Sequence, residues 1–167
     1  GVVNEALTLV ISSCLFWELQ APWVGGGMRI VDVFPLDMTI IDTQFIDNYA
    51  TISSGFNWAL YSNSFDDGTG VLGRSYANLT RIELTQEHTF KPAGPFGGSQ
   101  YEQGPLWLCS FPGHWNTKDD HPEVGTDVHI ERLLCHDMEM VRHACSAVVS
   151  GSNVAGYWNT TMIDSEF

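Results

Sequence analysis

The stretch Thr126–Gly151, TDVHIERLLCHDMEMVRHACSAVVSG, constrains this chain most, because it is the longest run with one clear apolar period. At 3.6 residues per turn, Ile130, Leu133, Leu134, Met138, Val141, Ala144, Cys145 and Val148 fall on one side. His129, Arg132, His136, Glu139 and His143 fall opposite. That spacing predicts a half-buried helix. Thr126 or Asp127 can cap its start and Gly151 its end. Early acids (Asp127, Glu131) and late bases (Arg142, His143) suit the helix dipole. The competing reading is a hairpin, Val128–Cys135 with Met138–Val149, turning at His136-Asp137. It would set Glu131 roughly opposite Arg142.

On such a helix His129, His136 and His143 recur along one edge, with Glu139 three residues after His136 and four before His143. Side chains at those offsets meet. Two imidazoles and a carboxylate can chelate a divalent transition metal or hold a proton near neutral pH. The competing reading is a solvated face with Glu139 paired to Arg142 and His143. Neither HExxH nor CxxC occurs. The segment 112–125 brings His114 and His121 as further metal candidates, so five of the six histidines lie within 114–143.

The length of 167 residues suits one domain with a sizeable core. A net charge of −13, with Lys91 and Lys118 the only lysines, excludes a phosphate-binding surface. No nucleic-acid partner is expected. The usage is rich in Thr, Ser, Val, Gly, Asn and Trp, which favours strands outside 126–151. Low lysine with abundant Ser, Thr and Trp resembles an exported protein. Cys14, Cys109, Cys135 and Cys145 allow two disulfides or buried free thiols. On a helix Cys135 and Cys145 would stand about 15 Å apart and could not pair. Sequons at Asn78 and Asn159 are glycosylation candidates in a eukaryotic secretory route.

Within residues 1–24, the run Ala6–Trp17 (ALTLVISSCLFW) is the most apolar and too short to span a bilayer as a helix. It can pack internally, as helix or strand, or insert into a neighbouring subunit. Met28–Phe34, Arg81–Phe90, Pro105–Phe111 and Val154–Ile163 read as strands, and 38–52 fits either a helix or a strand. No internal repeat is evident. The run Tyr49-Ala50, Gly55-Phe56-Asn57-Trp58, Phe65-Asp66-Asp67-Gly68 resembles the early helices of the NTF2-like (SnoaL-like) α+β family. Asn57 stands for the usual Asp, and Phe56 is an insertion. The resemblance implies a cone-shaped lyase, isomerase or binding protein.

Together these features predict an α+β fold: a mainly antiparallel sheet with the 126–151 helix packed on it, or alternatively an all-β sandwich. The expected function is extracytoplasmic binding or structural assembly without catalysis, with self-association or binding of another protein through the apolar N-terminus. The alternative is a metal-dependent enzyme, or an NTF2-like lyase or isomerase, with a His/carboxylate site.

Overall fold

The computed structural model describes residues 7–21, 26–31, 35–48, 50, 56–60, 74–86, 106–110, 125–138, 147–151 and 157–166. Ten strands and no helix occur among them. In chain order they are β1 (Leu7–Ser12), β2 (Leu15–Trp17), β3 (Met28–Val31), β4 (Leu36–Ile46), β5 (Phe56–Leu60), β6 (Arg74–Gln86), β7 (Leu106–Ser110), β8 (Gly125–Met138), β9 (Ala147–Gly151) and β10 (Tyr157–Ile163). One sheet runs β1-β4-β6-β8-β10, with β2 also on β4. The other runs β3-β5-β7-β9. Every ladder is parallel.

Each strand pairs with its counterpart one coil later, never with its sequence neighbour. Parallel strands need a crossover, and here the strand of the other sheet lies within that crossover. This is a parallel β-solenoid. The expected α+β class is therefore corrected. So is the sandwich alternative, whose sheets would be antiparallel.

A left-handed residue at the same place in the coil bends each long strand. Asp42 has φ 50°, Arg81 52° and Arg132 56°, and Ser13 (54°) and Asp164 (50°) take the matching places on the outer coils. The registers Ile41↔Thr80↔Glu131 and Thr43↔Ile82↔Leu133 set these residues in one column. Ahead of the corner, even or odd positions alternate inward as in any strand. The corner residue consumes one position, so the alternation resumes out of phase. Leu36, Met38 and Ile40 are buried before Asp42, and Thr43 and Phe45 after it. Ala77 and Leu79 are buried before Arg81, Ile82 and Leu84 after it. Val128 and Ile130 precede Arg132, and Leu133 and Cys135 follow.

The registers stack these inward residues into columns, Met38/Ala77/Val128 and Ile40/Leu79/Ile130 among them. Phe56 and Trp58 of β5 close the core from the smaller sheet. Phe16 stacks on Phe45 across successive coils (centroids 4.8 Å, 7°), and Phe45 faces Phe56 at 6.2 Å. Burying each such side chain contributes about 1.5–3 kcal/mol.

A second left-handed column, Glu18 (φ 50°), Asp47 (49°) and Asp137 (53°), marks the far end of the same wall. Glu18 and Asp47 donate their amides to Ile46 and Thr85 of the next coil. Just past Asp47, buried Asn48 accepts the Leu19 amide at 3.1 Å and donates to the Phe16 carbonyl at 2.7 Å.

Several expected strands appear near their expected places: β3, β7 and β10, and β6 around Ile82 and Leu84. The helix over 126–151 does not form. Residues 125–138 are β8, held between β6 and β10. The hairpin reading falls with it, because β8 runs straight through His136 and both its neighbours are parallel. The NTF2-like resemblance is overturned where it is described. Phe56-Asn57-Trp58 begins a strand, not a helix. Residues 61–73 lie outside the described residues.

Candidate functional site

Past the Arg132 corner, β8 points Leu133 and Cys135 inward and Leu134 and His136 outward. His136 thus stands on the outer surface of the second wall, beside Thr85 in register and diagonal to Glu83 of β6. A register shift between Thr85 and Gln86 makes room for Asp137 as a bulge, and its left-handed backbone suits an aspartate.

The result is a chain of polar groups across three coils. Gln44 of β4 donates its amide Nε2 to Glu83 Oε2. His136 Nε2 lies 2.8 Å from Glu83 Oε1, and His136 Nδ1 lies 2.7 Å from Asp137 Oδ2. The Gln44 amide, then the His136 ring, hold the Glu83 carboxyl below its ordinary range. Glu83 first, then Asp137, raise the imidazole above its ordinary value. The ring thus lies between two carboxylates, an arrangement that favours its protonated form.

The chemistry of that arrangement is limited by its closure. A metal ligand or a general base needs an imidazole nitrogen with a free lone pair. Both nitrogens of His136 face carboxylate oxygens, so both are engaged by neighbours within the protein. The group ties coil to coil, as a clasp.

Its neighbour on the corner does the same. Arg81 grips Asp42 of the preceding coil in a two-point pair, Nε–Oδ1 2.5 Å and Nη2–Oδ2 2.8 Å. The pair lowers the Asp42 pKa and raises that of Arg81, in each case chiefly through the hydrogen bonding.

The other sequence candidates separate. His129 lies on the first wall, with Nε2 4.0 Å from Glu131 Oε2. The Arg132 bend stands between it and His136, so the seven-residue spacing does not gather them on one ridge. Glu139, His143, His114 and His121 lie outside the described residues, as do the side chains of Cys109 and Cys145. Among the described residues no group of three His, Cys, Asp or Glu can hold a metal ion. With no helix at 135–138, the helical bar to a Cys135–Cys145 pair is also removed. Cys135 is buried in the core, and Cys14 is an exposed free thiol. Asn78 is exposed on the first wall, accepting from Thr80 Oγ1 at 3.0 Å. Asn159 is exposed one column over and donates to Asp127 at 3.4 Å.

Glu83, Gln44 and Asp137 were not singled out from the sequence as partners of His136. No local signal marks them. Only the coil register brings residues 44, 83 and 136 together.

Compared with protein-family models, with curated proteins and with solved structures, the chain matches none.

Proposed function

We propose that this is an extracytoplasmic binding or structural protein that acts by assembly, with no catalysis of its own. The observation that carries the reading is the character of the sheet edges. Edge strands are usually guarded by charge, because their unpaired backbone recruits other strands. In the larger sheet β4, β6 and β8 each carry several charged residues. Among the described residues the outermost strands, β1 (LTLVIS) and β10 (YWNTTMI), carry none, in a chain of net charge −13. The β1 edge also leaves Leu7 59% and Val10 65% exposed, and Trp17 of β2 57%.

The clasps agree with a mechanical role, since Gln44–Glu83–His136 and Asp42–Arg81 spend their polar groups on joining coils. The extracytoplasmic setting is supported by composition and by the outward-facing Asn78 and Asn159. No helix among the described residues is long and apolar enough to cross a membrane. Sedimentation velocity over a wide concentration range tests the reading. Mass that rises with concentration is expected, and a strict monomer at the highest concentration would remove it.

A further inference from the structure

We infer that the outer face of the larger sheet carries a cation site at Tyr76, suited to the ammonium of a lysine side chain on a basic polypeptide. The site lies on the wall of the coil, across β4, β6 and β8, and does not involve the strand edges.

The first observation is the register. Asp37, Tyr76 and Asp127 stand in one row across three successive coils. Their chain neighbours Leu36, Met38, Ser75, Ala77, Thr126 and Val128 are buried, so the three side chains point outward. Hydrogen-bonded strands lie about 4.8 Å apart, which sets the Tyr76 ring, 51% exposed, between two carboxylates. The second is an acceptor without a donor. Asp37 Oδ1 is enclosed and has no hydrogen-bond partner among the described residues. Withdrawing a carboxylate oxygen from water is costly, and a cation beside it offsets that cost. Asp127 accepts the Asn159 amide at a long 3.4 Å. The third is charge. The segments 37–41, 76–80 and 127–131 hold Asp37, Asp127 and Glu131 but no lysine or arginine. The whole chain has 20 acidic and 7 basic residues. Such a field attracts cationic partners and repels anionic ones.

The chemistry that fits is an ammonium on an apolar stem. An aromatic face attracts a cation within about 6 Å of its centre. The flanking carboxylates accept the N–H donors of the ammonium, and the methylene stem covers the ring. The next outward row, Thr39, Asn78 and His129, lies two residues farther along the strands. It offers polar groups to the amides of the backbone that bears the lysine, which a free polyamine lacks.

Isothermal titration tests the site on the full chain, made without glycosylation because a glycan on Asn78 would cover the second row. The probe is N-acetyl-tetralysine amide, and spermine is a free amine of equal charge. At about 0.15 M salt the peptide is expected to bind, and spermine to bind several-fold more weakly. Tyr76→Leu keeps the charge but removes the ring, and should weaken the peptide about threefold or more; Tyr76→Phe should retain it. Asp37→Asn should weaken it more than Asp164→Asn, which removes the same charge from the exposed corner after β10. Circular dichroism and urea midpoints establish that each variant keeps the fold. No binding of the peptide overturns the site. So does an equal effect of Asp37→Asn and Asp164→Asn with none from Tyr76→Leu, which would show general attraction to an acidic chain. Spermine binding as tightly as the peptide, or a neutral oligosaccharide binding at Tyr76 in its place, overturns the polypeptide partner. The outcome is separate from the assembly reading: a strict monomer that binds the peptide keeps this site and loses that reading.

Discussion

Asn48 holds the first coil to the second, and its removal has a cost that can be worked out from its two bonds. Its side-chain oxygen accepts the Leu19 amide and its side-chain nitrogen donates to the Phe16 carbonyl, from a site only 1% exposed. Asn48→Ala deletes both bonds and adds no substitute. A net hydrogen bond contributes about 0.5–1.5 kcal/mol, and a buried group left without a partner costs more. The two together give an expected loss of about 2–3 kcal/mol. For a chain of this size each kcal/mol moves the melting midpoint by about 2–4 °C, so the midpoint is expected to fall by about 4–12 °C. Urea unfolding gives the free energy, and amide exchange locates it. Protection at Leu19 should drop well before protection at Leu79 in the centre of the core. Asn48→Asp is the control. It keeps an acceptor for Leu19 but sets a carboxylate against the Phe16 carbonyl, so its deficit should shrink in acid as the carboxyl gains a proton. A cost below about 0.5 kcal/mol for Asn48→Ala, with Leu19 still protected, would show that the first coil is held by packing alone.

Three further outcomes follow from the same geometry. The His136 clasp should make stability depend on pH in two opposite limbs. The imidazole is raised above its ordinary 6.5, so its contribution is complete below that value and is lost as pH rises through the higher folded value. Glu83 is lowered below its ordinary 4.5, so its contribution is present above 4.5 and is lost as pH falls through the lower folded value. His136→Gln should therefore cost most between these two ordinary values, about 0.5–1 kcal/mol for a half-exposed pair, and little in alkali; a pH-independent deficit in urea titrations would refute the clasp. Arg132 sits at φ 56° with its Nε 3.8 Å from Glu131, a weak exposed contact. Arg132→Asn should stabilise by about 0.5–1 kcal/mol, because asparagine tolerates the left-handed region at less strain; an unchanged or lower urea midpoint would count against corner strain. Finally, alkylation of the native protein should label Cys14 quickly and leave Cys135 untouched until the chain is unfolded and reduced. Peptide mass spectrometry reads this directly, and early labelling of Cys135 would contradict its place in the core.

The coil was written in the sequence, but not in a form that a single period detects. Aligned on their corners, the windows 7–16, 36–45, 75–84, 126–135 and 158–167 read LTLVISSCLF, LDMTIIDTQF, SYANLTRIEL, TDVHIERLLC and WNTTMIDSEF. In the windows 36–45, 75–84 and 126–135, positions one, three and five are buried, and so are eight and ten. The gap of three between five and eight is the phase reversal at the left-handed residue. Val128, Ile130, Leu133 and Cys135 therefore keep apolar intervals of two, three and two. Over so short a run these imitate the three-and-four rhythm of a helix. That imitation produced the expected helix at 126–151 and, with it, the ridge of His129, His136, Glu139 and His143. The repeat itself was hidden because the corners stand at unequal intervals, the longest from Arg81 to Arg132. A fixed-period search fails on such spacing.

The corner residues also explain why the turns carried no sequence warning. Left-handed positions favour Gly, Asn and Asp, and glycine is the usual punctuation for reading a bend. Among the described residues, eight non-glycine positions are left-handed; four are Asp, and the others are Ser13, Glu18, Arg81 and Arg132. What holds them is the column rather than the residue. Each corner is stacked on the next by backbone bonds such as Ser13 to Ile41 and Gln44 to Cys14, so one coil imposes its bend on its neighbour. Local strain is thus offset by contacts between coils.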